Sequence, residues 1–414
     1  MPEPRIEAAR LWGWLMQLAQ ITEPEVPWTR RAFTPRFAQG RAWLTERMRE
    51  LELAPGIDSA GNLLGRLPGS RSPERCILVG SHSDTVKGGG RFDGIAGVIA
   101  GLELAAALRA SGQRLQHTLQ IADFLAEEPN DFGLSCIGSR GIGGALEPAM
   151  LERKSPTGRS LREGLAEVGA PPFDPHGARR DDIAAMFELH IEQGPVLEQA
   201  QLDVGIVTHI VGIRRLSIRF EGQASHAGTT PLALRRDALA AASHLVLALR
   251  EALPPPSAAA PYVIATVGEL QVVPNAPNVV PGQTRLTVDL RSDDAASLEA
   301  WSERLRELAQ AAAAAARVRL GELRVLSASE PTACAPHLAE HLRAAARALG
   351  LKQQDMVSGA GHDAAFIARV APAAMLFVPS RAGLSHCAEE WTEPEELANG
   401  VAALLAAVLR FDGS

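Results

Sequence analysis

Four short apolar runs, each with a histidine or a carboxylate at or just beyond its carboxyl end, constrain this chain more than any other feature. Cys76–Gly80 reads CILVG, Thr118–Leu125 reads TLQIADFL, Met186–Ile191 reads MFELHI and Ala373–Val378 reads AAMLFV. Apolar runs without polar alternation are expected of strands buried on both faces, as in a parallel sheet. Helical patterns lie between them: residues 7–20 and 37–52 are amphipathic, and Asp93–Leu108 reads as a helix opened by Asp93-Gly94. The alternation predicts an α/β domain with a mixed, mostly parallel sheet covered by helices.

The middle of the chain follows another rule. Arg214–Phe220 (RRLSIRF) and Thr284–Leu290 (TRLTVDL) alternate apolar and polar residues, so each buries one face only. Helical patterns over Arg235–Leu253 and Ala295–Ala314, with strands near 263–270 and 317–325, give the order β-α-β-β-α-β. That order predicts an α+β, ferredoxin-like sandwich. The expected organisation is a catalytic domain in two segments, 1–211 and 328–414, interrupted by an inserted domain at 212–327. The Pro-rich Leu253–Pro261 reads as a surface connection within the insert.

Composition excludes several classes. The chain of 414 residues has a formal net charge of -7 and no Lys- or Arg-rich run, so no nucleic-acid footprint is expected. No uncharged apolar stretch reaches the length of a membrane span, and Met1–Arg5 has no apolar signal core. Cys76, Cys136, Cys334 and Cys387 form no C-x-x-C pair, and reduced cysteines in a cytoplasmic protein are expected.

The chemistry collects at the strand ends. His82 follows CILVGS, Glu127-Glu128 follows TLQIADFLA, His190 ends a strand, His386 follows AAMLFV, and Asp93 stands beside Gly88-Gly89-Gly90. Sites in open parallel sheets form at the carboxyl ends of strands. Three histidines and two carboxylates suit Zn²⁺ or Mn²⁺, and a shared carboxylate suits two ions with room for a bridging water. Asp84, two residues after His82, is placed to orient a metal-bound imidazole through its carboxylate. Of the two adjacent glutamates, one can ligate while the other takes a proton from the attacking water. Each signal alone is commonly structural; their convergence on one rim predicts a metal site.

Eight motifs occur in a familiar order: GSHSDTVKGGGRFDG (Gly80–Gly94), AEEPNDF (Ala126–Phe132), ELHIEQGP (Glu188–Pro195), ASHAGTTP (Ala224–Pro231), PNVVPG (Pro277–Gly282), DLRS (Asp289–Ser292), SGAGHDA (Ser358–Ala364) and SHCAEE (Ser385–Glu390). In these the chain resembles the hydantoinase/carbamoylase branch of the zinc aminoacylase and carboxypeptidase superfamily, over nearly its whole length. The branch includes N-carbamoyl-L-amino-acid hydrolases and allantoate amidohydrolases.

The resemblance implies two divalent ions per subunit, Zn²⁺, Mn²⁺ or Co²⁺. Asp93 would bridge them, His82 and His190 would complete one, and Glu128 and His386 the other. Glu127 would be the general base and later the proton donor. The insert would be a lid and dimerisation domain, making a homodimer in which His226 reaches across to polarise the scissile carbonyl. Asn278 and Arg291 match substrate-carboxylate binders, with Arg215, Gln193, Gly359 and His362 as further substrate-binding candidates. Peptidases of the superfamily usually carry a carboxylate where His190 stands, so HIEQGP favours the ureido branch. Ile213, where Gln is common, and Ser225, where Asn is common, depart from the branch pattern and bear on which substrate is bound.

The expected reaction is hydrolysis of a linear amide by metal-activated water, with Glu127 shuttling the proton and His226 stabilising the oxyanion. The first-choice substrate is an N-carbamoyl-L-amino acid, then allantoate, then a dipeptide or acylated amino acid. Rivals from other classes are an inactive metal-binding scaffold, against which Glu127 argues, and an amidase using Cys136 or Cys387 as nucleophile.

Overall fold

The computed structural model describes residues 2–255 and 260–413, and the chain forms two compact units. One comprises 1–208, 334–356 and 362–414; the other comprises 209–333 with 357–361. The Pro-rich connection at Leu253–Pro261 lies partly outside the described residues. Among the described residues no helix is long and apolar enough to cross a membrane.

The first unit is built on a mixed sheet whose centre is parallel. His117–Phe124, Ser72–His82, Ile183–Ile191 and Ala373–Val378 lie side by side in that order, all parallel. These are the four apolar runs of the sequence, and their central residues are fully buried because helices cover both faces. Leu63–Leu67 and Val204–Ile210 flank them antiparallel. The register pairs His82 with Phe124 and His190 with Phe377. The carboxyl ends of the four parallel strands therefore fall on one rim.

Ile95–Ser111 is buried on nearly every side. It lies on the sheet, and Ala8–Ala19 and Pro394–Asp412 pack against it. Its apolar residues thus run all round it instead of along one stripe. The exception is Glu103, buried and neutralised by Arg10, whose Nε and Nη2 each donate at 2.7 Å. Removing Arg10 would strand a buried charge, a change that typically costs about 3–5 kcal/mol.

The second unit is a four-stranded sheet in the order Arg319–Ser329, Gly212–Glu221, Gln283–Ser292, Val263–Val273, every neighbouring pair antiparallel. Ala238–Ala252 and Ala295–Ala315 cover one face, and Leu216, Ile218, Phe220, Leu286, Val288 and Leu290 pack beneath them. Asp237 and Asp294 cap the two helices, accepting N–H bonds from Leu239 and Ser297. The opposite phase of the same strands puts Arg215, Asp289 and Arg291 on the other face. Val357–Gly361 joins this unit because Ser358 accepts the N–H of Val211 and Gly359 accepts a bond from Arg291.

Candidate metal centre

The rim of the parallel sheet gathers His82, Asp93, Glu127, Glu128, His190 and His386. Asp93 is at its centre. Its Oδ1 lies 3.1 Å from His190 Nε2 and 3.9 Å from His82 Nε2. Its Oδ2 lies 2.9 Å from His386 Nε2, which is itself 3.3 Å from Glu128 Oε1. Two donor groups contain Asp93, His82–Asp93–His190 and Asp93–Glu128–His386, sharing one carboxylate that turns a different oxygen to each, and a third, Glu188–His190–His362, adjoins the first. Ligand atoms around a tetrahedral ion with bonds near 2.1 Å stand about 3.4 Å apart, the same scale as these separations.

Local structure aims the rings. His82 Nδ1 lies 3.0 Å from the carbonyl of Asp84, and His190 Nδ1 lies 2.9 Å from that of Ile191, so Nε2 of each faces Asp93. Glu127 follows Ala126, His386 follows Ser385, and both Ala126 and His386 have positive φ, at 53° and 57°. Non-glycine residues in this region are uncommon and cluster where function over-determines the backbone.

The electrostatics favour a cation. Asp84, Asp93, Glu128 and Asp363 are buried, and the side chain of Glu127 is 12% exposed. Burial raises Glu127 well above the ordinary carboxylate range, with Glu128, Asp363, Asp84 and Asp93 adding to it. Burial and then Glu128 raise Asp84 in the same way. Although burial opposes its anion, hydrogen bonds from His190 and His386 hold Asp93 well below the usual value. Burial lowers His82 to about 4, against the pull of Asp93, whereas contacts to Asp93 and Glu128 raise His386 to about 11. Glu128 Oε1 is buried without hydrogen-bond geometry to any described donor. Crowded, dehydrated carboxylates beside imidazoles are a donor set a divalent ion satisfies, so the residues present fit such an ion.

Asp84 departs from expectation. The His82 ring is held by the Asp84 carbonyl, while the carboxylate stands 3.7 Å from Nδ1. Oδ1 and Oδ2 instead accept the backbone N–H of Glu127 and Glu128, at 3.3 and 3.2 Å. Both segments leave adjacent strand ends, and the unpaired peptides after Phe124 are closer to the carboxylate than the ring is. Asp84 thus fixes the Glu-Glu pair.

The remaining sequence candidates are distributed as follows. Gln193 has φ 59°, and its Nε2 donates to Ser385 Oγ at 3.3 Å and lies 3.5 Å from His386 Nε2. His362 is buried with its ring 4.6 Å from that of His190. In the second unit, His226 is exposed, and its Nδ1 accepts the N–H of Gly228 and Thr229 at 3.1 and 3.2 Å. That occupies the Nδ1 lone pair and leaves the proton on Nε2, facing outward as a donor. Asn278 is its neighbour: Ala227 donates to the Asn278 carbonyl, and Val279 pairs with His226. Arg291 and Arg215 grip the two oxygens of Asp289 at 2.6 and 2.9 Å, and Arg291 Nη1 also donates to Gly359. Two guanidiniums share one carboxylate, so this trio keeps a net positive charge.

The model of the peptidase family M20/M25/M40 matches residues 78–410. The chain belongs to that family. It is 37% identical over 411 residues to the N-carbamoyl-L-amino-acid amidohydrolase of Paenarthrobacter aurescens, covering 99% of both chains. It is 35% identical to the allantoate amidohydrolase of Bacillus subtilis, covering 94% of each. A solved hydantoinase/carbamoylase family amidase from Burkholderia multivorans superposes with a TM-score of 0.90 at 36% identity, covering 99% of this chain and 98% of that one.

Within this M20-family chain the cysteine-nucleophile reading fails for Cys136. Its thiol is buried and pushed well above its ordinary value, by burial first and Glu127 next, and Sγ stands 3.3 Å from Glu127 Oε1 as a donor. Glu390 and Glu188 escaped sequence reasoning, and Asp363 stands with them among the buried carboxylates. Glu390 accepts the backbone N–H of Phe92 and Asp93. Glu188, behind His190, accepts from Ser81 Oγ and Ala364 N. Asp363 accepts from Ser139 Oγ. Glu390 and Glu188 lie inside quoted motifs, and that was the only available signal.

Proposed function

We propose that the protein is a cytoplasmic, homodimeric amidohydrolase with two divalent ions per subunit, cleaving a C–N bond of a small ureido acid. An N-carbamoyl-L-amino acid is the first substrate, giving the amino acid, ammonia and CO₂; allantoate is the second. The observation that carries the reading is the shared Asp93, whose Oδ1 and Oδ2 face two separate donor groups with Glu127 beside them. The names of the relatives support the ureido substrate.

Bound at these groups, Zn²⁺, Mn²⁺ or Co²⁺ would supply Lewis acidity and acidify a water. The chain does the rest. Glu127 Oε1 receives the Cys136 thiol, so Oε2, 3.7 Å from His82 Nε2, is the oxygen that takes the proton of the attacking water and returns it to the leaving nitrogen. A base held at a raised value by burial suits both steps. His226 Nε2–H serves as the donor to the developing oxyanion, contributed by the partner subunit through the inserted domain. Arg291 and Asn278 hold the substrate carboxylate, with Arg215, Gln193, Gly359 and His362 bordering it.

The test is a panel of N-carbamoyl-L-amino acids, allantoate, dipeptides and N-acetyl amino acids, given to chelator-stripped protein reloaded with each metal. Turnover of the ureido acids, restored only by metal, is expected. Preference for a dipeptide over every ureido acid would overturn the substrate assignment.

A further inference from the structure

We propose that Glu390 is a positioning residue: with Ser385 it clamps the backbone carrying Asp93 to the loop carrying His386, and so sets how tightly the Asp93–Glu128–His386 group holds a divalent ion. The inference rests on reading that group as a cation site.

Glu390 is fully buried, and both oxygens are committed. Oε1 accepts the N–H of Phe92 at 2.7 Å and of Asp93 at 3.2 Å, nearly 300 residues away in sequence. Oε2 accepts the hydroxyl of Ser385 at 2.7 Å. Ser385 Oγ in turn accepts Gln193 Nε2 at 3.3 Å. A continuous hydrogen-bonded chain therefore runs from Gln193 through Ser385 and Glu390 to the peptide of Asp93. The first segment makes room for it: a Cβ on Gly90 would lie 2.0 Å from Glu390 Oε1. Outside the clamp, the Arg91 guanidinium stacks 4.6 Å from Trp28 and 4.7 Å from Trp391, the residue after Glu390.

His386 needs such a device more than its partners do. His82 and His190 sit at buried strand ends. The His386 side chain is 49% exposed, on a loop where His386 itself has φ 57°. Packing fixes it less, and beside its ring contacts to Asp93 and Glu128 the link through Ser385 restrains the loop that carries it. Outer-sphere partners of this kind typically change metal affinity by about 10–100-fold.

The test titrates whole, chelator-stripped protein with Co²⁺, following visible absorption and competition with a chelator. Wild type should bind two equivalents. Ser385→Ala should weaken one equivalent about 10-fold or more, change its absorption band and leave the other unchanged. Glu390→Ala should weaken that equivalent further, and Glu390→Gln should recover much of the loss, because an amide oxygen can still accept from Phe92 and Asp93. If Glu390→Ala does not fold, Ser385→Ala decides alone. No Co²⁺ binding to wild type overturns the cation reading and the clamp with it. Two wild-type equivalents in every variant, equal weakening of both, or Gln no better than Ala overturns the clamp alone.

Discussion

Asp93 turns Oδ2 to His386 Nε2 at 2.9 Å, and that contact, with Glu128, raises His386 to about 11. A histidine raised above its ordinary value carries its proton at pH 7–8, whereas a bound metal needs the bare Nε2 lone pair. Binding to this group must therefore expel the proton, and affinity should rise by about tenfold per pH unit between pH 7 and 9, flattening only above the folded value. Calorimetry of Mn²⁺ binding in buffers of different ionisation heat should report about one proton released from His386 as its group fills, and a second from His190, which against its burial is raised to about 9 by Asp93, as the other group fills. Heats independent of buffer would contradict it.

Glu127→Gln should abolish turnover and spare metal binding. The amide keeps the shape and the contact to Cys136 but cannot take a proton on Oε2. A general base is typically worth about 10²–10⁴-fold in rate. The check is kcat measured beside metal content; near wild-type kcat with full metal would remove Glu127 from the proton path.

Gly94→Ala should damage the centre for two separate reasons. Gly94 has φ 67°, and a Cβ there would lie 2.3 Å from His82 Nε2. The backbone strain costs about 1–3 kcal/mol, readable as a shift in the denaturation midpoint. The collision displaces a ring nitrogen needed as a ligand, so Co²⁺ affinity should fall as well. A stable variant with wild-type Co²⁺ binding would show that His82 Nε2 is not used.

What could be read from the sequence followed its periodicities. The continuous runs at Cys76–Gly80 and Ala373–Val378 marked parallel strands, and strand ends marked His82, His190 and the Glu-Glu pair, because position along one element depends on local pattern alone. The function of Asp84 did not follow: its spacing from His82 pointed to the ring, whereas its carboxylate reaches peptides on the neighbouring strand's loop. Glu390 and Glu188 were invisible for the same reason, since each bonds a segment more than 170 residues away. The strand Val204–Ile210 was also missed, being a single apolar run beside a loop.

Mixing His226→Ala with Glu127→Gln subunits should restore part of the activity that each lacks alone. The Nδ1 contacts to Gly228 and Thr229 make His226 an Nε2 donor, and its proposed target is the partner's site. One of the two hybrid sites then carries both intact residues. Failure of mixing, with subunit exchange verified, would place His226 in its own subunit's site or outside catalysis.

The substrate should need a free carboxylate, held by Arg291. With a net charge of -7 and a rim crowded with carboxylates, the protein repels an anion unless a local cation receives it. Arg291 uses Nε on Asp289 and Nη1 on Gly359, which locks the guanidinium plane and leaves Nη2 to face a ligand. Arg215, on the other Asp289 oxygen, keeps that carboxylate from neutralising Arg291 fully. Losing a charge-assisted pair typically costs about 1.5–3 kcal/mol, or roughly one to two decades in binding. Because the carboxylate also orients the ureido carbon, kcat should fall along with affinity. The measurement compares an N-carbamoyl-L-amino acid with its carboxamide on wild type and on Arg291→Ala. Wild type should strongly prefer the acid, and the variant should lose most of that preference while its metal content stays unchanged. Equal hydrolysis of acid and amide by wild type would end the carboxylate-anchor assignment and remove its support for a ureido acid substrate.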